Sequence, residues 1–286
     1  MWIEYVALGV VQGLTEFLPV SSSGHLVLGE ALLARVSPDA ALPGGILFEV
    51  SVHVATLLAV GCVFRRRIVR LLTFPIRPPA PCGSGGAPAA GPFWRRAEAV
   101  WWGQIFAGSL VTGVIGLVFR ERLESLFDRP PLVIVMLAVT GLILFGTRFA
   151  GRRGAPGRRL QNSPLWVGAL IGLAQALAIT PGISRSGATI AAALYLGVER
   201  DEAGEFSFLL SIPAILGAAL VHLRDLDAID AAQLGPLAAG FAAAFVVGVL
   251  ALRLLLRFVH QGRLHHFAWY VWAVSAAGAA MMIATG

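Results

Sequence analysis

Long apolar runs separated by short polar stretches dominate this chain. A helix that crosses a hydrocarbon core of about 30 Å needs roughly 20 apolar residues. Runs of that kind fall at about 47–64, 100–119, 131–149, 206–223, 236–257 and 267–285, and each predicts a transmembrane helix. Two further regions, about 1–35 and 163–198, are apolar but interrupted in the middle by LPVSSSG and TPGISRSG. Each half of such a region is too short to span. Broken backbone at membrane depth is tolerated where it lines a cavity within the protein. Both regions are therefore predicted to be re-entrant helical hairpins.

Composition agrees with this pattern. The chain is 57% hydrophobic and 13% charged, with a mean hydropathy of +0.78, whereas about a quarter of the residues in soluble domains are charged. The reading is an all-α polytopic membrane protein, one membrane domain over 1–286. The net charge of +6 comes from arginine alone, because the chain contains no lysine. The arginines fall between apolar runs, as loop charges on the inner side of a membrane do. No aromatic–basic interleaving accompanies them, so nucleic acid is not an expected partner. Cys62 and Cys82 have neither disulfide nor metal spacing. The start, MWIEYVALGVVQG, lacks the positive segment and cleavage site of a signal peptide.

Loop charges orient the spans. Arg65, Arg66, Arg67, Arg70, Arg77, Arg95 and Arg96 crowd one loop; Arg148, Arg152, Arg153, Arg158 and Arg159 crowd another; Arg253, Arg257 and Arg263 flank a third. These three are expected inside. The balanced loop at 120–129 and the acidic one at 224–230 are expected outside. Threading the chain through these sides gives a hairpin plus three spans, then the same again with opposite orientation. That is an inverted-topology repeat, with halves of about 1–150 and 160–286. The Pro/Gly-rich stretch at 75–92 reads as a flexible loop within the first half.

The repeat is also visible residue by residue. QGLTEFLPVSSSG (12–24) aligns without gaps on QALAITPGISRSG (175–187), matching Gln12 with Gln175, Ser21 with Ser184, Ser23 with Ser186 and Gly24 with Gly187. In inverted-repeat proteins the two broken elements meet near the midplane and form the ligand site. Each break ends in Ser-x-Ser-Gly and restarts a helix, whose first amides lack intrahelical partners and favour an anion. Ser21, Ser23, Gly24, Ser184, Ser186 and Gly187 are the candidate phosphate-binding residues, although small residues also serve simply to pack membrane helices. Arg185 lies within the second break, and an intramembrane arginine is functional by default. Its planar fork suits phosphate.

Carboxylates beside such a cradle add to the chemistry. Gln12 and Glu16 share one helix face, and Glu49 begins the next span. Acidic groups next to phosphate suggest a divalent cation between them or a base. Glu49 could equally be an interfacial residue at the start of its span. His25 can act as acid or base near neutral pH. His53 reads as a packing histidine.

These residues carry a resemblance. QGLTEFLPVSSSGH and PGISRSGAT (181–189), together with FEV (48–50) and EFSFLLSIP (205–213), resemble the undecaprenyl-diphosphate phosphatase family of bacitracin-resistance membrane proteins. The likeness runs over nearly the whole chain. It implies a hydrolase that converts undecaprenyl diphosphate to the monophosphate and inorganic phosphate, recycling the lipid carrier for peptidoglycan synthesis. It implies dependence on a divalent cation, Mg²⁺ or Ca²⁺, and a site facing the outer side of the bacterial inner membrane. One departure is that the first signature commonly begins with Glu where this chain has Gln12, which leaves Glu16 to carry that helix's charge.

On this reading Glu16 and Glu49 hold the metal, and Arg185 with the helix-start amides holds the phosphates. Ser22 is nucleophile or water-positioning hydroxyl, His25 is its acid/base partner, Thr189 supports the phosphate site and Gln12 is a supporting residue. Paired broken helices also suit a transporter of an anionic polyprenyl lipid, which would need the cradle but no nucleophile. The Gly/Ala-rich faces leave open packing within one chain or in a homodimer.

Overall fold

The computed structural model describes residues 2–36, 45–74, 97–150, 157–222 and 231–284. The stretch at 75–92 and Cys82 lie outside them. The described residues form twelve α-helices, linked in places by short 3-10 turns, and no strand ladder. α5 (Ala97–Val118), α7 (Pro130–Gly146), α10 (Arg200–His222), α11 (Ala231–His260) and α12 (Phe267–Ile283) coincide with five of the expected spans. Each is long and apolar enough to cross a membrane, α7 together with the 3-10 turn through Phe149 and α12 together with the one from Leu264. The sixth is bent: α3 (Gly45–Val63) turns by 81° into α4 (Arg65–Thr73). α6 (Arg120–Glu124) is a single turn in the loop before α7. The chain is an all-α polytopic membrane protein.

Both interrupted regions are helix pairs. α1 (Trp2–Phe17) and α2 (Ser22–Val36) flank the first break; α8 (Trp166–Leu177) and α9 (Arg185–Tyr195) flank the second. The longest of the four has 16 residues, about 24 Å of helix, which is short of a bilayer core. Proline explains where the first member of each pair stops. The residue before proline is driven out of the helical region, and Leu18-Pro19 and Thr180-Pro181 sit just past α1 and α8.

The restarts are chemically the same. Ser21 Oγ accepts from the Gly24 amide at 3.2 Å, and Ser184 Oγ accepts from the Gly187 amide at 3.1 Å. These are N-caps, each satisfying one orphan donor of the first turn. In both, the capping hydroxyl lies 3.3 Å from the hydroxyl two residues on, Ser23 or Ser186. The breaks differ in how they turn. Ser21 itself takes a left-handed φ of 67°, while the second break uses Gly182 at φ 95°, so only the first places a side chain in that unfavourable region.

Each interrupted pair is held by a helix distant in sequence. The two most extensive helix pairs are α1 with α11 and α5 with α8. Glycines set how closely they approach. A Cβ built on Gly9 would stand 2.2 Å from the Gly240 carbonyl oxygen, and one on Gly172 would stand 2.3 Å from that of Gly108. Gly9 and Gly172 are at matching positions of the aligned breaks. α7 packs against both α2 and α9 and anchors the second break. Its buried Thr140 donates to the Gly182 carbonyl at 2.8 Å and accepts from the Ser184 amide at 3.1 Å.

Candidate active site

The two breaks touch. Ser186 Oγ donates to the Leu18 carbonyl at 3.5 Å, and a Cβ on Gly187 would stand 3.2 Å from Pro19 Cβ. Where they meet, the side chain of Glu16 is only 5% exposed. A buried carboxylate is sustained by paired charge and hydrogen bonds, and Glu16 has three donors. Arg185 Nη2 bonds Oε1. Ser22 Oγ donates to Oε2 at 3.2 Å, and Gln12 Nε2 donates to the same oxygen at 3.1 Å. Gln12 reaches it because one helical turn separates the two residues on α1.

The backbone contributes more donors. Among the described residues the amides of Ser22 and Ser23, and those of Arg185 and Ser186, have no hydrogen-bond partner. Two helix starts therefore bring free N–H groups close to the contact between the breaks. The Arg185 turn is held from behind. Thr189 Oγ1 donates to the Arg185 carbonyl at 2.8 Å and lies 2.5 Å from Ser207 Oγ. Thr189 and Ser207 are both buried. Of the eight residues expected around the phosphate, Ser21, Ser23, Gly24, Ser184, Arg185, Ser186 and Gly187 lie at the two helix starts, and Thr189 lies one turn further along α9.

Two expected roles are placed differently. His25 does not reach Ser22. Its Nδ1 donates to the Ser21 carbonyl at 2.8 Å, its Nε2 lies 2.9 Å from the Tyr270 hydroxyl, and its ring stacks on Tyr270. A residue at the fourth position of α2 follows the helix back onto its own first carbonyl, away from the Glu16 carboxylate. Glu49 is exposed on α3, and its carboxylate forms no hydrogen bond or ion pair among the described residues.

His53 occupies the position that Glu49 was expected to fill. It lies one turn deeper on α3, with Nε2 3.9 Å from Glu16 Oε2 and 3.4 Å from Gln12 Nε2. Its Nδ1 donates to the Glu49 carbonyl at 2.8 Å. That bond fixes the proton of the neutral ring on Nδ1 and leaves the Nε2 lone pair toward the Gln12 amide. The signal was present in the sequence: a histidine inside an apolar span warrants a functional reading before a packing one.

The donor set can be tested against a divalent cation. Among the described residues no three His, Cys, Asp or Glu side chains group as a metal cage. A hard cation such as Mg²⁺ is commonly bound by one or two carboxylates together with substrate phosphates. Glu16, beside the two helix starts, fits that mode.

A family model described as bacitracin resistance protein BacA matches residues 5–277. The chain belongs to this family. Curated members extend the match along its length. The chain is 44% identical over 271 residues to the undecaprenyl-diphosphatase of Desulfosudis oleivorans, covering 94% of each protein. It is 41% identical over 276 residues to that of Desulfatibacillum aliphaticivorans, covering 96% of each. The enzyme of the same name from Rubrobacter xylanophilus is 38% identical over 283 residues, covering 98% of each. The BacA match takes in both breaks and every residue at the Glu16 carboxylate.

Proposed function

We propose that this chain is an undecaprenyl-diphosphatase. It removes the terminal phosphate of undecaprenyl diphosphate, returns the monophosphate carrier to peptidoglycan synthesis and confers bacitracin resistance. The observation that carries this reading is the convergence of Ser22, Gln12 and Arg185 on the buried Glu16 carboxylate between two helix starts. The names of its relatives support the same reaction.

The diphosphate lies against the free amides of Ser22, Ser23, Arg185 and Ser186, and the isoprenoid tail stays in lipid. Arg185 has five N–H donors, so it can bond phosphate oxygens while Nη2 holds Glu16. Ser22 is the nucleophile. Its hydroxyl proton passes to Glu16 Oε2 as Oγ bonds the terminal phosphorus. The P–O bond to the inner phosphate breaks, and undecaprenyl phosphate leaves with that proton from Glu16, which is a carboxylate again. Water then gives a proton to Glu16 and attacks the phosphoserine. Ser22 Oγ departs with a proton from the carboxyl group, and inorganic phosphate is released. Phosphoryl transfer depends chiefly on positioning and charge stabilisation, which the two helix starts and Arg185 supply. A bound divalent cation, Mg²⁺ or Ca²⁺, would offset charge on the phosphoryl oxygens, with Glu16 as its protein carboxylate.

The arginine-rich loops put the α3–α4 bend and the end of α11 on the cytoplasmic side of the bacterial inner membrane. Three crossings, by α3, α5 and α7, then bring the second hairpin in from the face opposite the first. The catalytic cavity opens outward.

The deciding experiment is phosphate release from a long-chain isoprenyl diphosphate by purified protein, with and without EDTA, beside Arg185→Ala. Release that needs metal and disappears in the variant is the expected result. An Arg185→Ala protein of near-normal turnover would overturn the assignment. Folded protein that binds the lipid but releases no phosphate would point to a carrier instead.

A further inference from the structure

A second basic cavity lies at the α3–α4 bend, and the reaction above makes no use of it. It is an open concavity of about 350 Å³ lined by Arg65, Arg66, Arg67 and Arg253, with Val63, Phe64 and Glu205, its one acid. Three consecutive residues of a helix point about 100° apart. The convergence of these arginines therefore comes from tertiary structure: the 81° bend at the start of α4 brings Arg67 onto Glu205 of α10, and Arg253 arrives from α11.

The acid there is already spent. Glu205 accepts from Arg67 Nε and Nη2, both at 2.9 Å, and the Arg67 guanidinium also lies 4.4 Å over the Trp101 ring. Glu202, the nearby acid on α10, accepts from the Leu160 amide. Arg65, Arg66 and Arg253 have no acidic partner among the described residues. Arg253 also lines an adjoining cavity of about 370 Å³ with Arg257 and His260. There the nearby Asp201 is bonded to His260 at 2.7 Å. Arg65, Arg66 and Arg253 are exposed, and they line one concavity together, where a ligand can reach all three.

The cavity is separate from the catalytic centre. Phe17, next to Glu16, packs on Phe208 with ring centroids 5.7 Å apart, and Phe208 stacks on Phe64 at 6.1 Å. Three aromatic rings thus stand between the Glu16 carboxylate and the arginines.

We propose that this cavity is a second phosphate-binding site, at the membrane face opposite the catalytic opening. Arginine guanidinium groups bond phosphate oxygens in a bidentate, charge-assisted manner. Arg65, Arg66 and Arg253 take one phosphate group, carried either by an anionic phospholipid of the adjoining leaflet or by free inorganic phosphate.

The test uses the full-length chain in neutral detergent and an Arg65→Gln/Arg253→Gln variant. Retention of phosphatidylglycerol is read by native mass spectrometry. Binding of inorganic phosphate is read by calorimetry on an Arg185→Ala background, which weakens the catalytic anion site by removing its guanidinium. Each arginine near a membrane surface contributes enough that losing two weakens the bound phosphate about thirtyfold. Loss of phosphatidylglycerol alone identifies the lipid headgroup as the ligand. Loss of phosphate binding alone identifies the free anion. Unchanged binding of both overturns the proposal. So does an equal loss in Arg122→Gln/Arg129→Gln, which removes two arginines from the opposite loop. Hydrolysis by the Arg65/Arg253 variant reports that it is folded. Arg253→Gln alone, on the exposed side of α11, keeps the test available should the double variant fail to fold.

Discussion

Ser22 and Arg185 are equivalent positions in the two aligned breaks, each the first residue of its restarted helix, and both bond the same Glu16 carboxylate. One position has become a hydroxyl and the other a guanidinium. Groups that act through one partner are not additive on removal. Arg185→Ala is expected to lower kcat by roughly a thousandfold or more, and Ser22→Ala by on the order of a thousandfold. The double variant should fall little further. Phosphate release from all three, with elution volume as the folding control, checks this. Fully multiplicative losses would mean that the two residues serve separate steps. Arg185→Lys should recover little, because an ammonium cannot bond Glu16 and a phosphate in the same planar fork.

Gln12 stands between Glu16 and His53, its amide nitrogen 3.1 Å from one and 3.4 Å from the other. Gln12→Glu places a second carboxylate beside Glu16. Metal affinity rises with ligand charge, so the Mg²⁺ concentration for half-maximal release should fall about tenfold. Gln12→Ala should leave that requirement unchanged and lower kcat moderately. Titration of activity with Mg²⁺ after EDTA treatment separates the two. An unaltered metal requirement in Gln12→Glu would remove the cation from the vicinity of Glu16.

The glycine contacts make a prediction about stability. Gly9→Ala and Gly172→Ala each drive a methyl group into a facing backbone carbonyl, and overpacking of this kind destabilises by about 1–3 kcal/mol. Both should lower Tm in detergent by several degrees. Gly61→Ala, where nothing lies within 4 Å of the added carbon, should not. Equal effects at all three positions would mean that helix propensity, and not the close approach of the hairpins, sets the cost.

Sidedness is tested with single cysteines at two exposed positions, Ser125 and Gln261, in a background lacking Cys62 and Cys82. A membrane-impermeant maleimide applied to intact cells should label residue 125 and spare residue 261. The reverse pattern would invert the placement of both cavities.

Much of the fold was legible because it rests on run length and on residues that interrupt runs. Proline after α1 and α8, serine at each restart and the internal alignment locate both breaks in the sequence itself. Glu16 and Arg185 could be singled out because charge in an apolar region needs a reason. Partners across helices were not legible. Nothing in the residues around His53 reports that α3 lies against α1 at that height, and His25 was assigned to Ser22 on sequence proximity alone. The hold of a distant helix on each interrupted pair, and the convergence of Arg65–Arg67 with Arg253, depend on helix crossings that periodicity does not encode. No proline marks the bend at Phe64, and Gly61, three residues before it, sits within α3 and does not announce it.

The grip of α1 by α11 has a consequence for synthesis. Arg185 lies 169 residues beyond Glu16, and at ordinary elongation rates roughly ten to thirty seconds pass between their appearances. Throughout that interval the first hairpin is in or near the membrane without the arginine or the helix that will hold it. A fragment ending within the first half would expose the same unpaired carboxylate indefinitely and would be a target for quality control. Maturation is therefore a long-range closure, in which completion of the second half licenses the first.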